Sequence, residues 1–118
     1  MSKVLQWDFD AWEDYLYWQG QDKKILKRIN QLLKDICRNP FEGIGKPEPL
    51  KGNLTGFWSR RVDGEHRLIY AVEESVVVVI SCRGHYRTEN RPLFFYIRMA
   101  RRVCLPLFNY VRYFRRSL

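Results

Sequence analysis

The chain has 118 residues and a formal net charge of +8, enough for one domain that buries roughly 65% of its unfolded surface around a single core. No apolar run approaches the ~20 residues of a spanning helix, and the opening MSKVLQWDFD lacks the apolar stretch and small-residue cleavage site of a secretory leader, so a cytoplasmic protein is expected. Cys37, Cys82 and Cys104 are odd in number, widely spaced and without CxxC or His-x-x-x-His company. That supports neither a disulfide framework nor a zinc site, and chemistry without metal or cofactor is expected.

The charge is unevenly spread. Residues 1–86 hold 13 Lys and Arg against 12 Asp and Glu, a net of +1, while residues 87–118 hold eight Arg against one Glu, a net of +7. A basic balance favours polyanionic partners, nucleic acid or an anionic membrane, without choosing between them.

Val4, Leu5 and Trp7 can add a short strand to a sheet formed later in the chain. Asp8 is placed to cap a first helix, with Asp10, Glu13 and Asp14 favouring the positive end of its dipole. Phe9, Trp12 and Leu16 recur at helical spacing and are expected to pack in the core, and Gly20 is expected to end the helix. Asp22 can cap a second helix whose Ile25, Ile29, Leu32, Leu33 and Ile36 form one apolar face before Asn39 and Pro40 end it. Its other face carries Lys23, Lys24, Lys27, Arg28 and Lys34, either a solvated surface or a ridge that contacts phosphates.

Gly43, Gly45, Pro47, Pro49 and Gly52 make residues 41–53 a loop, and loops this long inside small domains are often functional. Its glycines match no phosphate-binding or dinucleotide fingerprint. It holds Glu48 between two prolines, with Lys46 and Lys51 nearby, and a carboxylate on a stiffened segment can serve as a general base. Gly56 to Val62 reads as a strand, followed by a turn at Asp63 and Gly64. A two-residue loop sets Arg60 across from Arg67; a three-residue loop with left-handed Gly64 sets Arg61 there instead. In either register two arginines share a sheet face, and because like charges directly opposite are destabilising, an anion such as phosphate is the natural third party.

Glu65 to Tyr86 reads as two strands joined at Glu73, Glu74 and Ser75, the second apolar from Val76 to Ile80 and ending in Arg83, Gly84, His85 and Tyr86. Regular alternation puts Ser81, Arg83 and His85 on one face and Cys82, Gly84 and Tyr86 on the other, so a frayed or twisted end is needed to bring His85 and Tyr86 together. A histidine there suits proton transfer near neutral pH.

The stretches EDYLYWQ (Glu13 to Gln19), NPFEGIGKPEPLKGNLTGFWSRR (Asn39 to Arg61), EHRLIYAV (Glu65 to Val72) and CRGHY (Cys82 to Tyr86) closely resemble the YoeB toxins of the RelE superfamily, across residues 1–86 almost without gaps. The resemblance implies an α+β, RelE-like fold of the microbial-ribonuclease type, with two N-terminal helices packed on a twisted antiparallel β-sheet. It implies a ribosome-dependent endoribonuclease that cuts messenger RNA in the A site without metal, is neutralised by a YefM-type antitoxin, and forms a homodimer. Carried onto this sequence, Glu48 is the general base for the ribose 2′-hydroxyl, His85 the general acid for the departing 5′-oxygen, and Arg67 the stabiliser of the phosphorane-like transition state. Lys51 and Arg61 support phosphate binding, Tyr86 orients the nucleotide, and Lys23, Lys24, Lys27 and Arg28 become contacts to ribosomal RNA.

The sequence departs from that family after Tyr86. YoeB-like chains stop at or near the His-Tyr pair, whereas here residues 87–118 continue as an Arg-rich, aromatic extension with no Lys. A toxin-like domain over 1–86 followed by an extension over 87–118 is thus expected. Between Pro92 and Pro106 the extension has the pattern of a basic amphipathic helix of about 20 Å, too short to cross a bilayer of ~30 Å but able to lie on a membrane or on the domain. The alternative to an active nuclease is a ribosome- or antitoxin-binding protein whose site this extension obstructs.

Overall fold

Five strands and two helices are laid out in the order β1 (Val4–Trp7), α1 (Phe9–Gln21), α2 (Lys23–Arg38), β2 (Glu48–Pro49), β3 (Phe57–Arg61), β4 (Arg67–Glu73) and β5 (Val76–Ser81). The structure, a computed structural model, describes residues 4–52 and 55–84. His85, Tyr86 and the whole of 87–118 lie outside the described residues, and with them the expectations for the extension.

Asp8 accepts from the Asp10 N–H at the start of α1. The expected break at Gly20 is not where the helix ends, because glycine in a last turn is tolerated and nothing crowds it. The turn belongs to Asp22, which is extended at φ −152° and ψ 102°. Its backbone N–H closes α1 on Trp18, while Oδ1 accepts from Lys24 and Ile25 at 3.0 and 3.2 Å to open α2. One residue thus stops one helix and starts the next, which folds the two against each other; the Tyr15 hydroxyl donates to Asn30 Oδ1 across the pair.

The sheet has the order β1-β5-β4-β3-β2. It is antiparallel from β2 to β5, and its β1 edge joins β5 in parallel, Val4 beside Val76 through Trp7 beside Val79. The parallel edge follows from connectivity, since the helical pair carries the chain from β1 over one face of the sheet. Ile29, Leu32, Leu33 and Ile36 of α2 meet Val62, Leu68, Tyr70, Val77 and Val79 in the core, as their spacing requires. Phe57, Ile69, Ala71 and Val78 alternate onto the opposite face and are buried as well.

The stripe expected to bury α1 is instead its outer face: Phe9, Trp12 and Leu16 are 64, 41 and 40% exposed. The inward stripe is Ala11, Tyr15 and Trp18, also at helical spacing, with Asp14 beside it. α1 is apolar around most of its circumference, so periodicity alone does not select a face. The choice is made by Asp14, a carboxylate that turns inward to accept from Cys82 N–H and the Ser81 hydroxyl at 3.1 and 3.3 Å. No helix among the described residues is long and apolar enough to cross a membrane.

Candidate active site

The open choice of register is settled by the hairpin between β3 and β4. Arg61 pairs with Arg67, and Ser59 with Ile69. The loop is the three-residue one, yet Gly64 is not in the left-handed region. Asp63 shapes the turn instead: its Oδ1 accepts from the N–H groups of Glu65 and His66 at 2.8 and 2.6 Å, an Asx turn that replaces the glycine conformation expected there.

Arg60 and Arg61 consequently face opposite sides. Arg60 is fully buried on the helix side. Its guanidinium donates to the carbonyls of Asn39, Glu42 and Ile44 at 2.7, 3.0 and 3.1 Å, to the Tyr70 hydroxyl at 3.1 Å, and to the Asp35 carboxylate. This spreads one buried charge over an ion pair and four neutral acceptors, the condition for burying it at all. Hydrogen bonds from Arg60 and from the Ile44 N–H hold the Asp35 carboxyl below its ordinary range, and burial pushes the Tyr70 phenol up.

The consequence is local order in the loop that carries Glu48. Its carbonyls converge on Arg60, and the Arg61 N–H donates to the Gly45 carbonyl at 2.6 Å. At Gly45, φ is +81° and a Cβ would stand 2.7 Å from Leu32 Cδ2, so glycine is required there on both counts. Glu48 then pairs with Ser59 in β2, and Leu50 N–H reaches Phe57 O at 2.8 Å. Pro49 is admissible because β2 is a sheet edge.

Glu48, Ser59 and Ile69 are register partners across β2, β3 and β4, and Arg61 and Arg67 lie two residues along the same face. The structure therefore brings Glu48, Arg61 and Arg67 onto one side of the sheet, with Glu48 and Arg61 exposed and Arg67 half-buried. Arg67 Nη1 donates to the carbonyls of Asp63 and His66 at 2.9 and 3.1 Å, and among the described residues the rest of its donor fork has no protein acceptor. Lys51 is exposed just past the Leu50 anchor. Lys23, Lys24 and Lys27 are exposed and Arg28 is half-buried on α2, against the other face of the sheet, so they share no site with Glu48.

The approach to His85 is tethered residue by residue. β5 ends at Ser81, and an extra residue at Ile80 shifts the register between the Tyr70–Val79 and Ile69–Ser81 pairs, so the regular alternation expected through Tyr86 stops there. Cys82 is buried, which pushes its thiol up, and its carbonyl accepts from Trp18 Nε1 at 2.9 Å. Burial outweighs the hydrogen bonds to Asp14 and raises its carboxyl above the usual range. The Arg83 guanidinium stacks 3.6 Å over the Tyr17 ring. Gly84, at φ +90°, donates its N–H to His66 Nδ1 at 2.9 Å and accepts from Arg67 N–H at 3.0 Å. His66, passed over in the sequence because it lies inside a strand-like run, is thus the residue that joins the Arg67 strand to the segment before His85. Among the described residues no group of His, Cys, Asp and Glu is arranged to hold a metal ion.

The family described as the YoeB-like toxin of bacterial type II toxin–antitoxin systems matches residues 7–86. Toxin YoeB of Escherichia coli K12 is 60% identical over 82 residues, covering 70% of this chain and 98% of that protein. Toxin RelK of Mycobacterium tuberculosis is 51% identical over 84 residues, covering 71% and 99%. Among solved structures, the YoeB dimer from Staphylococcus aureus has a TM-score of 0.69 at 50% identity and covers 73% of this chain and 100% of that one. The heterotetrameric YoeB-YefM complex from the same organism has a TM-score of 0.67, with the same identity and coverage. With two helices on a five-stranded sheet, a paired Arg61 and Arg67 beside Glu48, and matches over most of its length, the chain belongs to the YoeB family of type II toxin–antitoxin toxins.

Proposed function

We propose that this chain is a ribosome-dependent endoribonuclease that cuts messenger RNA in the A site and is held inactive by a YefM-type antitoxin. The observation that carries the reading is the direct opposition of Arg61 and Arg67 on the face that also holds Glu48. Cβ atoms of such pairs stand about 4.5–5.5 Å apart, where like charges repel unless an anion lies between them. An RNA phosphate is an anion of the right geometry for two guanidinium forks.

In the proposed reaction, Glu48 takes the proton of a ribose 2′-hydroxyl, whose oxygen attacks the adjacent phosphorus. The bond from phosphorus to the 5′-oxygen breaks, and His85 donates its proton to that oxygen. The products are a 2′,3′-cyclic phosphate and a 5′-hydroxyl end. Arg67 takes up the charge that develops on the non-bridging oxygens, with Arg61 and Lys51 in support, and Tyr86 orients the nucleotide. Positioned acid and base groups contribute about 10²–10⁴-fold each. In-line attack is a geometry that flexible RNA seldom presents, so a ribosome that bends the message supplies the orientation. Ribosomal RNA is the polyanion for Lys23, Lys24, Lys27 and Arg28, on the side away from the site, and action on ribosomes implies the cytoplasm. The antitoxin partner and a homodimer follow from likeness to the Staphylococcus aureus YoeB-YefM complex and YoeB dimer. Residues 1–86 form the toxin domain in this reading, and 87–118 an extension to it.

Primer extension on messages loaded on purified ribosomes tests this, with the full chain, its truncation after Tyr86, and His85→Ala in the truncation. Cleavage by the full chain and by the truncation, and none by His85→Ala, is expected. Cleavage by the truncation alone assigns the extension a masking role. Ribosome binding without cleavage by either sinks the nuclease reading in favour of a binding protein.

A further inference from the structure

His66 is one of two histidines in the chain, and its ring is built into the fold at two points, with a looser approach to the exposed Glu65. Nδ1 accepts the Gly84 N–H at 2.9 Å, the edge of the Trp18 ring lies 4.7 Å away centroid to centroid, and Nε2 stands 3.8 Å from Glu65 Oε2. The backbone behind it is fixed by Asp63 Oδ1, which accepts the His66 N–H. A donor aimed at Nδ1 assigns the ring proton to Nε2, so the working form is one tautomer of the neutral imidazole.

The Gly84 peptide is therefore held at both polar groups by consecutive residues of one strand, its N–H by the His66 ring and its carbonyl by Arg67 N–H. Gly84 sits at φ +90°, where neighbours must hold the backbone against its own freedom. It is also the residue immediately before His85. Of the two tethers, the one to Arg67 is a backbone bond that any residue can make, whereas the one to His66 depends on the side chain.

We propose that His66 is a positioning residue of the RNA-cleaving site: by accepting the Gly84 N–H it registers the segment that delivers His85 against the strand that carries Arg67. This rests on the nuclease reading above and adds to it a side chain that fixes the backbone of Gly84, the residue preceding the general acid. Misplacement of about 1 Å can cost on the order of 10²-fold in rate, so loss of the tether lowers kcat, while KM, set by the phosphate and ribosome contacts, changes little.

The test uses the full chain. In ¹⁵N-labelled protein, a through-hydrogen-bond coupling between the Gly84 amide nitrogen and His66 Nδ1 is expected, together with ¹⁵N shifts that mark Nδ1 as unprotonated. On ribosome-loaded message, His66→Phe, which keeps an aromatic ring against Trp18, is expected to lose about 10- to 100-fold in kcat with KM within about twofold. His66→Asn, whose Oδ1 can occupy the acceptor position, is expected to recover most of that loss. Absence of the coupling overturns the proposal, as does full activity of His66→Phe. Equal loss in both variants overturns it too, because an acceptor offered to the Gly84 N–H would then not be what matters. An unmodified chain that does not cleave overturns the nuclease reading itself and the His66 role with it, an outcome distinct from an active chain indifferent to His66.

Discussion

Arg60 and Arg61 are consecutive in β3 and serve opposite sides of the sheet: Arg60 is fully buried against Asp35 and Tyr70, and Arg61 is exposed across from Arg67. The first binds the chain to itself, and the second makes no side-chain hydrogen bond or ion pair among the described residues. Removing them should separate stability from activity.

Arg60→Leu leaves the Asp35 carboxylate without its cation and the carbonyls of Asn39, Glu42 and Ile44 without that donor. A loss of about 1–3 kcal/mol is expected in denaturant unfolding, the usual cost of leaving polar groups without their partner, because the Asp35 side chain is half-buried and still reaches water. Arg61→Ala should shift stability by less than about 0.5 kcal/mol. It should lower kcat/KM for message cleavage by about 10- to 100-fold, matching ~1.5–3 kcal/mol for a charge-assisted hydrogen bond to phosphate. The reverse pattern would exchange the roles of the two arginines.

Two carboxylates should pull the pH dependence of stability in opposite directions. Asp35 titrates lower in the folded chain, through Arg60 and the Ile44 N–H, so its contribution is present above the unfolded value of about 3.9 and is lost as pH falls through the folded one. Asp14 titrates higher because of burial, so its contribution is full below about 3.9 and is lost as pH rises through its raised folded value. Asp35→Asn is therefore expected to lower Tm at neutral pH, with the deficit shrinking on acidification. Asp14→Asn keeps an oxygen acceptor for Cys82 N–H and should raise Tm at neutral pH, with the gain fading as pH falls. Melting curves from about pH 3 to 8 read both, and parallel curves for either variant would refute its assignment.

The α2 core positions, the β1 strand, the β3 and β4 hairpin and the turn at Glu73 to Ser75 were all legible in the sequence, because each rests on a strong period or on local turn chemistry. The candidate site face was half legible: an arginine pair was expected, but its register hung on whether the loop after Val62 held two residues or three, and the Asp63 side chain makes it three. The α1 face was misread because two apolar stripes compete there and the decision lies with Asp14, whose partners are Ser81 and Cys82, far along the chain. The Arg60 role was not legible either, since the carbonyls that satisfy it belong to a loop with no periodicity.

That competition on α1 gives a direct comparison. Trp18→Ala empties a buried site and removes the donor to the Cys82 carbonyl, and should cost about 3–5 kcal/mol. Phe9→Ala, at a position 64% exposed, should cost less than about 0.5 kcal/mol. Thermal melts at two protein concentrations decide it. A Phe9→Ala deficit that grows with concentration would put the outer stripe in an interface between copies, because only an interface gains stability by mass action.

The cationic face of α2 lies across the sheet from Glu48, Arg61 and Arg67, so ribosome affinity and cleavage chemistry should be separable by mutation. Replacing Lys24 and Lys27, both exposed, with Glu removes two cations and adds two anions without touching the sheet face. Ribosome affinity should fall and its salt dependence should flatten, the slope of log K against log salt dropping by about 0.7–0.9 for each phosphate that is no longer neutralised. At saturating ribosomes kcat should stay within about twofold, because the reacting groups are undisturbed. Unchanged affinity would return this ridge to an ordinary solvated helix face, and the ribosome-binding surface would then have to be sought on the side of the sheet that carries Arg61.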